Sequence, residues 1–213
     1  MAISLFDLDR TLLSTNGSFG FSLYLYQKKV LSVFSILFSC FYYIWHQYFG
    51  LSLERLHQKV FQRMLYGMSM PLLTKHAEDF IDLYLEKILY FPAWEKLKWA
   101  QHRGHFTCIV SNSPSFLVRI IAKKFHVDAW EASEYLVDKD QRLCQIQKIL
   151  QGKEKACYVE ELTRRLGVSK EKSTGYSDSY LDLPFLHSVG QAIVVNPDRK
   201  LKQIADQLKW EEI

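Results

Sequence analysis

Along the chain, short apolar runs alternate with longer amphipathic ones. Ile3 to Phe6, Phe106 to Val110 and Gln191 to Val195 are brief and mostly apolar, as strands buried in a parallel sheet are. Helical spacing predicts helices over Pro92 to Arg103, Phe116 to Phe125, Lys155 to Leu166 and Lys200 to Lys209, with Gly104 and Gly167 as stops. The segment around Val127 to Leu150 is mixed and predicts short strands. Strands alternating with helices predict an α/β fold built on a parallel, doubly wound sheet. There is no internal repeat and no low-complexity linker.

Residues 14 to 91 break that alternation. Ser14 to Ser18 reads as a loop leaving the core, and Phe19 to Tyr26 is apolar and aromatic up to Gln27-Lys28-Lys29. Val30 to Leu53 then carries no Asp, Glu, Lys or Arg. Ser32, Ser35, Ser39, Tyr42, His46 and Gly50 recur in steps of three and four, a narrow polar or small stripe on a helix. The rest of the circumference is apolar, including Phe34, Leu37, Phe41, Ile44, Trp45 and Phe49. Such a helix is either enclosed by protein or in contact with lipid. Leu53 to Leu89 is conventionally amphipathic and broken near Gly67 to Pro71. The pattern predicts a helical cap, residues 14–91, inserted into a core of residues 1–13 and 92–213.

Composition narrows the partners. A 213-residue chain with 48% hydrophobic residues holds one core and a modest insertion. Net charge is a mild +4, with no Lys/Arg block to track a nucleic-acid backbone, so no nucleic-acid partner is expected. Cys40, Cys108, Cys144 and Cys157 form no metal-ligand spacing and read as reduced thiols. The first strand starts almost at Met1, leaving no room for a signal peptide, so a cytoplasmic location is expected.

The candidate chemistry sits at the end of the first strand. In an extended segment residues i and i+2 point the same way, so Asp7 and Asp9 share one cleft. Open α/β sheets bind ligands at the carboxyl ends of their strands. Two close carboxylates repel unless a cation or a shared proton relieves them. A hard divalent ion, with one carboxylate left for chemistry, is the economical reading. Two aspartates alone are as well explained by a solvated turn. Three further segments follow in order: Ile109 to Ser113, a strand ending in hydroxyl residues; a lysine opening a helix after Gly152; and Tyr176 to Asp182.

These segments, with Asp7-Leu8-Asp9-Arg10-Thr11 at their head, resemble the haloacid-dehalogenase-like (HAD) phosphohydrolases. Over nearly the whole chain the likeness is to the phosphoserine-phosphatase-like subfamily IB. The resemblance implies a HAD-like Rossmannoid core and a magnesium-dependent phosphomonoesterase. Asp7 is then the nucleophile that forms an aspartyl-phosphate, and Asp9 the acid and base oriented by Thr11. Ser111 and Asn112 bind the phosphoryl oxygens, and magnesium lies among Asp7, the Asp9 carbonyl and Asp178, with Asp182 in direct or indirect support. For the lysine, Lys155 is preferred because Tyr158 and Val159 follow at core-facing steps; Lys153 is the other candidate. Leu181 stands where a small or amide residue is usual, and Asn16 where phosphoserine phosphatases carry a glutamate for the substrate's ammonium.

Val30 to Leu53 is long enough to cross a bilayer, which takes about 20 residues. A single crossing would put Asp7 on one side and Ser111, Lys155 and Asp178 on the other, although all must meet at one phosphate. A buried cap helix, a helix or shallow hairpin at a membrane interface, and an oligomer contact remain. An apolar, aromatic cap also resembles the C-type phosphatidylglycerophosphate phosphatases. The leading expectation is therefore hydrolysis of a lipid phosphate by a protein peripheral on the inner face of the membrane. The alternatives are a soluble phosphatase for small metabolites and an inactive binding module.

Overall fold

The computed structural model describes the backbone of residues 1–213 and every side chain except those of His46 and Gln47. Seven strands form one sheet: β1 (Ile3–Phe6), β2 (Phe106–Pro114), β3 (Ala129–Val137), β4 (Leu143–Lys148), β5 (Ser173–Ser177), β6 (Gln191–Val194) and β7 (Glu211–Glu212). Their spatial order is β4-β3-β2-β1-β5-β6-β7, and only the β3–β4 pair is antiparallel. All four residues of β1 are buried, because the strand is central and both faces are covered. Its period-2 alternation sends Ile3 and Leu5 into one apolar cluster and Phe6 into another. The chain runs outward from β1 to β4, then returns to β5 on the other side, so the order reverses beside β1. The α/β fold with a mostly parallel sheet is the one the pattern predicts.

One cluster packs β1, β2 and β6 against α7 (Gly152–Leu166), α8 (Leu183–Ser188) and α9 (Arg199–Leu208). On the other face, α5 (Phe91–His102) and α6 (Ser115–Phe125) cover the sheet. The mixed segment after α6 is the β3–β4 hairpin.

The helices before α5 are α1 (Gly17–Gln27), α2 (Val33–Phe49), α3 (Leu53–Val60) and α4 (Met70–Tyr84). The segments on either side of these helices run together, and Ser69 bridges to Arg142 by the β3–β4 turn. Leu13 and Leu89 form an antiparallel bridge, with Ser14 N donating to Ile88 O at 2.7 Å and Tyr90 N to Leu12 O at 2.9 Å. Packing does not stop at these bridges: Phe21, Leu25, Phe61, Leu73 and Phe80 belong to the same cluster as Phe6, Ile109 and Ile121.

The charge-free stretch resolves into a shorter helix than its length allows. Ser32 caps α2 at one end, and Gly50, left-handed at φ 74°, ends it after 17 residues. Among the described residues no helix is long and apolar enough to cross a membrane. Two serines of the stripe face inward. Ser35 and Ser39 are 7% and 9% exposed, and Ser39 Oγ donates to Met64 Sδ at 2.6 Å. Phe34, Tyr48 and Phe49 stand outward at 69%, 77% and 75% exposure, with Leu37, Phe41 and Ile44 also exposed. Ser35, Ile36 and Ser39 face the rest of the protein, and most of the bulkier side chains are left on the far side. His46, expected on the stripe, lies outside the described residues.

Candidate active site

Asp7 follows β1 directly, and its backbone N–H donates to Tyr176 O of β5 at 2.9 Å. The chain then makes a compact turn over Leu8–Leu12, closed by Leu13 N donating to Leu8 O at 2.9 Å. The turn brings the Asp9 carboxylate against the start of α1. Gly17 N donates to Asp9 Oδ1 at 2.6 Å, and Ser113 Oγ to Asp9 Oδ2 at 2.5 Å. Ser18 Oγ, in the first turn of α1, lies 2.5 Å from Ser113 Oγ. Thr11 was expected to orient Asp9. Its Oγ1 is buried without a hydrogen-bond partner among the described residues, and Gly17 and Ser113 hold the carboxylate instead.

Helix α7 delivers the lysine. Gly152, Lys155, Val159 and Leu162 form its buried face, whereas Lys153 is exposed. A Cβ at Gly152 would lie 2.1 Å from the Leu181 carbonyl oxygen, so only glycine lets the helix start this close to the neighbouring loop. Lys155 Nζ donates to Asp7 Oδ1 at 2.6 Å and to Asp182 Oδ2 at 2.7 Å. Ser177 Oγ donates to Asp182 Oδ2 at 2.7 Å. Lys155 and the Asp7, Asp9, Asp178 and Asp182 carboxylates are thus brought together, all buried, at the ends of β1 and β5. Ser111 lies beneath them, its Oγ accepting from Ser113 N at 3.1 Å, and Asn112 and Ser113 line the opening.

Burial sets the electrostatics. It pushes the Asp7 carboxyl up to about 7, with Asp182 and Asp9 adding repulsion and Lys155 pulling the other way. Asp178 is pushed up to about 8 by burial and then by the charges of Asp7 and Asp182. Burial also raises Asp9, against the hydrogen bonds from Ser113 and Gly17. Burial alone would lower Lys155, but Asp182 and Asp7 outweigh it and hold the ammonium above its ordinary value.

The cluster forms the floor of a cavity of about 660 Å³. Away from the carboxylates its walls are apolar, with Phe21, Leu25, Ile44, Leu56, Phe61 and Met64 from α1, α2, α3 and the turn after α3. Asn16 lines it too, but its side chain accepts from Phe19 N at 2.8 Å and caps α1. Among the described residues no group of three or more His, Cys, Asp or Glu side chains is placed to hold a metal unaided. The donor set still fits magnesium. That ion is commonly held by one or two carboxylates, with water and substrate oxygens completing the shell. Asp7 and Asp178, both raised chiefly by burial, are hard oxygen donors whose repulsion a dication relieves.

Sequence reasoning missed Gly17, Ser18, Ser113 and Ser177. Ser113 lay inside the strand-end motif, but its bond to Asp9 spans 104 positions and has no local signal.

A model of the haloacid dehalogenase-like hydrolases matches residues 4–187. A probable phosphatase of Mycobacterium tuberculosis is 24% identical over 208 residues, 96% of this chain and 72% of that protein. A phosphoserine phosphatase of the same species is 44% identical over 64 residues, which span 30% of this chain and only 21% of that relative. A protein of unknown function from Bordetella pertussis shares the fold with a TM-score of 0.86 at 22% identity, covering 99% of this chain and 97% of that one. A substrate-bound phosphoserine phosphatase shares it at a TM-score of 0.71 and 20% identity, covering 100% and 92%.

Proposed function

Because the chain belongs to the haloacid dehalogenase-like hydrolases, we propose that it is a magnesium-dependent phosphatase that cleaves a lipid phosphomonoester at a membrane surface. Asp7 attacks phosphorus, the bond to the leaving alkoxide breaks, and Asp9 gives that alkoxide its proton. The phosphate is then carried on Asp7. Asp9, now a carboxylate, takes a proton from water as the water attacks phosphorus, which frees inorganic phosphate and restores Asp7. Lys155, 2.6 Å from Asp7, offsets charge on the nucleophile and on the transferring oxygens. Asn112, which lines the cavity where β2 runs into α6, offers a donor to the phosphate, with Ser111 buried behind it. Magnesium held by Asp7, the Asp9 carbonyl and Asp178, with Asp182 behind them, would add positive charge at the phosphoryl oxygens.

The shape of the cavity carries the lipid reading. A charged floor passes into an apolar chamber between α1, α2 and α3, so the leaving group it fits is greasy. Ile44 both lines that chamber and stands half exposed on α2, which makes the chamber continuous with the helix's outer apolar face. Lys28 and Lys29 lie just before α2, where headgroup phosphates would meet them. Asn16 offers the substrate no negative charge, which disfavours phosphoserine.

The deciding experiment measures phosphate release, with magnesium, from short-chain phosphatidate and phosphatidylglycerophosphate in mixed micelles and from phosphoserine in buffer. Lipid substrates are expected to exceed phosphoserine in kcat/KM by at least tenfold, about 1.4 kcal/mol of transition-state binding from the apolar chamber. Preference for phosphoserine would transfer the reading to a small-metabolite phosphatase.

A further inference from the structure

The charge on the cavity walls is lopsided. Five aspartates line it, Asp7, Asp9, Asp178, Asp182 and Asp198, facing Lys155 and Arg10. Lys155 is taken up by Asp7 and Asp182. Asp198 caps α9 and accepts from Tyr180 N. Arg10 makes no ion pair among the described residues. Arg10 and Tyr43 of α2 both line the cavity, and Arg10 Nη2 donates to Tyr43 Oη at 3.5 Å. The backbone that places it there is left-handed, φ 59° and ψ 5°, a conformation disfavoured for any residue with a Cβ.

Arg10 therefore stands at the border between the phosphoryl floor and the apolar chamber, exposed and with donors to spare. A guanidinium fork matches an oxyanion in two parallel hydrogen bonds, and Arg10 is the one arginine among the described residues that line the cavity. We propose that Arg10, steadied by Tyr43, is a specificity residue that binds a second anionic group carried on the leaving group, a few bonds from the phosphomonoester. That group is an oxyanion of either kind the fork accepts, the phosphodiester of a phospholipid or the carboxylate of a small metabolite. The inference rests on the phosphatase reading above and deepens it by naming the substrate class.

Two matched pairs of substrates test it. Short-chain phosphatidylglycerophosphate and phosphatidate differ in having an anionic or a neutral leaving group, as do 3-phosphoglycerate and glycerol 3-phosphate. Wild-type protein is expected to favour the anionic member of one pair by at least tenfold in kcat/KM, chiefly through KM. The pair that shows the preference identifies the source of the oxyanion. Arg10→Gln should bring that ratio to within about threefold of unity, whatever change in kcat the two members share. Arg10→Lys should keep part of the preference, because charge remains while the fork is lost, and Tyr43→Phe should fall between. An active wild type without preference in either pair, or an Arg10→Gln variant that keeps the wild-type ratio, overturns the assignment and leaves the phosphatase reading standing. A wild type that hydrolyses none of the four overturns both.

Discussion

Lys155 holds two buried carboxylates on one ammonium, Asp7 at 2.6 Å and Asp182 at 2.7 Å. Removing one partner from a buried ion pair strands the other, at a cost of about 3–5 kcal/mol. Lys155→Ala is therefore expected to lower unfolding free energy in urea by that order and to silence turnover. Lys153→Ala, on the exposed side of the same turn, should stay within about 0.5 kcal/mol of wild type. The opposite ranking would mean that Lys153 is the working lysine. Asp7→Asn keeps the shape of the proposed nucleophile without its reactivity, so turnover should vanish while the circular-dichroism spectrum is retained. Asp9→Asn should slow turnover by about 10²–10⁴-fold and let phosphoenzyme accumulate, detectable by mass spectrometry. Wild-type rates in either variant would remove that residue from its proposed role.

Helix α2 reverses the usual relation between polarity and burial. Phe34 and Phe41 are exposed, and Ser39 is nearly closed off against Met64. Glutamates at Phe34 and Phe41 together should leave the melting temperature within a few degrees of wild type while abolishing co-sedimentation with anionic liposomes. Ser39→Leu overpacks the inner face and should cost about 1–3 kcal/mol. Unfolding by the glutamate pair, with Ser39→Leu tolerated, would mean the helix packs the other way round. Periodicity in the sequence showed that α2 has two unlike faces, but not which of them the rest of the protein covers. That depends on how closely α1 and α3 approach, and side-chain size decides it rather than polarity. Elements with a conventional pattern were legible: β1 from its apolar run, and the inward face of α7 from the steps between Lys155 and Val159. The bonds to Asp9 from Gly17 and Ser113 were not, since a backbone N–H and a distant serine leave no periodic trace.

At the scale of the whole molecule, the carboxylates link folding to pH. Asp7 and Asp178 have an ordinary value of 3.8 and are pushed up to about 7 and about 8 in the fold. Between about pH 4 and 8 the folded chain therefore holds protons that the unfolded chain has released, so metal-free stability falls as pH rises through that window. Magnesium needs both carboxylates ionised, and its affinity runs the other way. In chelator, the melting temperature is expected to drop from about pH 6 to about pH 8, and added magnesium should raise it more at the higher pH. A magnesium shift that shrinks with rising pH would count against the acidic cluster as the metal site. The root of α1 has a different consequence. The bonds that seat this helix on the sheet, Gly17 to Asp9 and Ser18 to Ser113, also hold the carboxylate proposed as the acid. Helix α1 and the Asp9 carboxylate are thus interlocked. Loss of α1 would remove the Gly17 bond and the Ser18 prop on Ser113, leaving the proposed acid held by Ser113 alone.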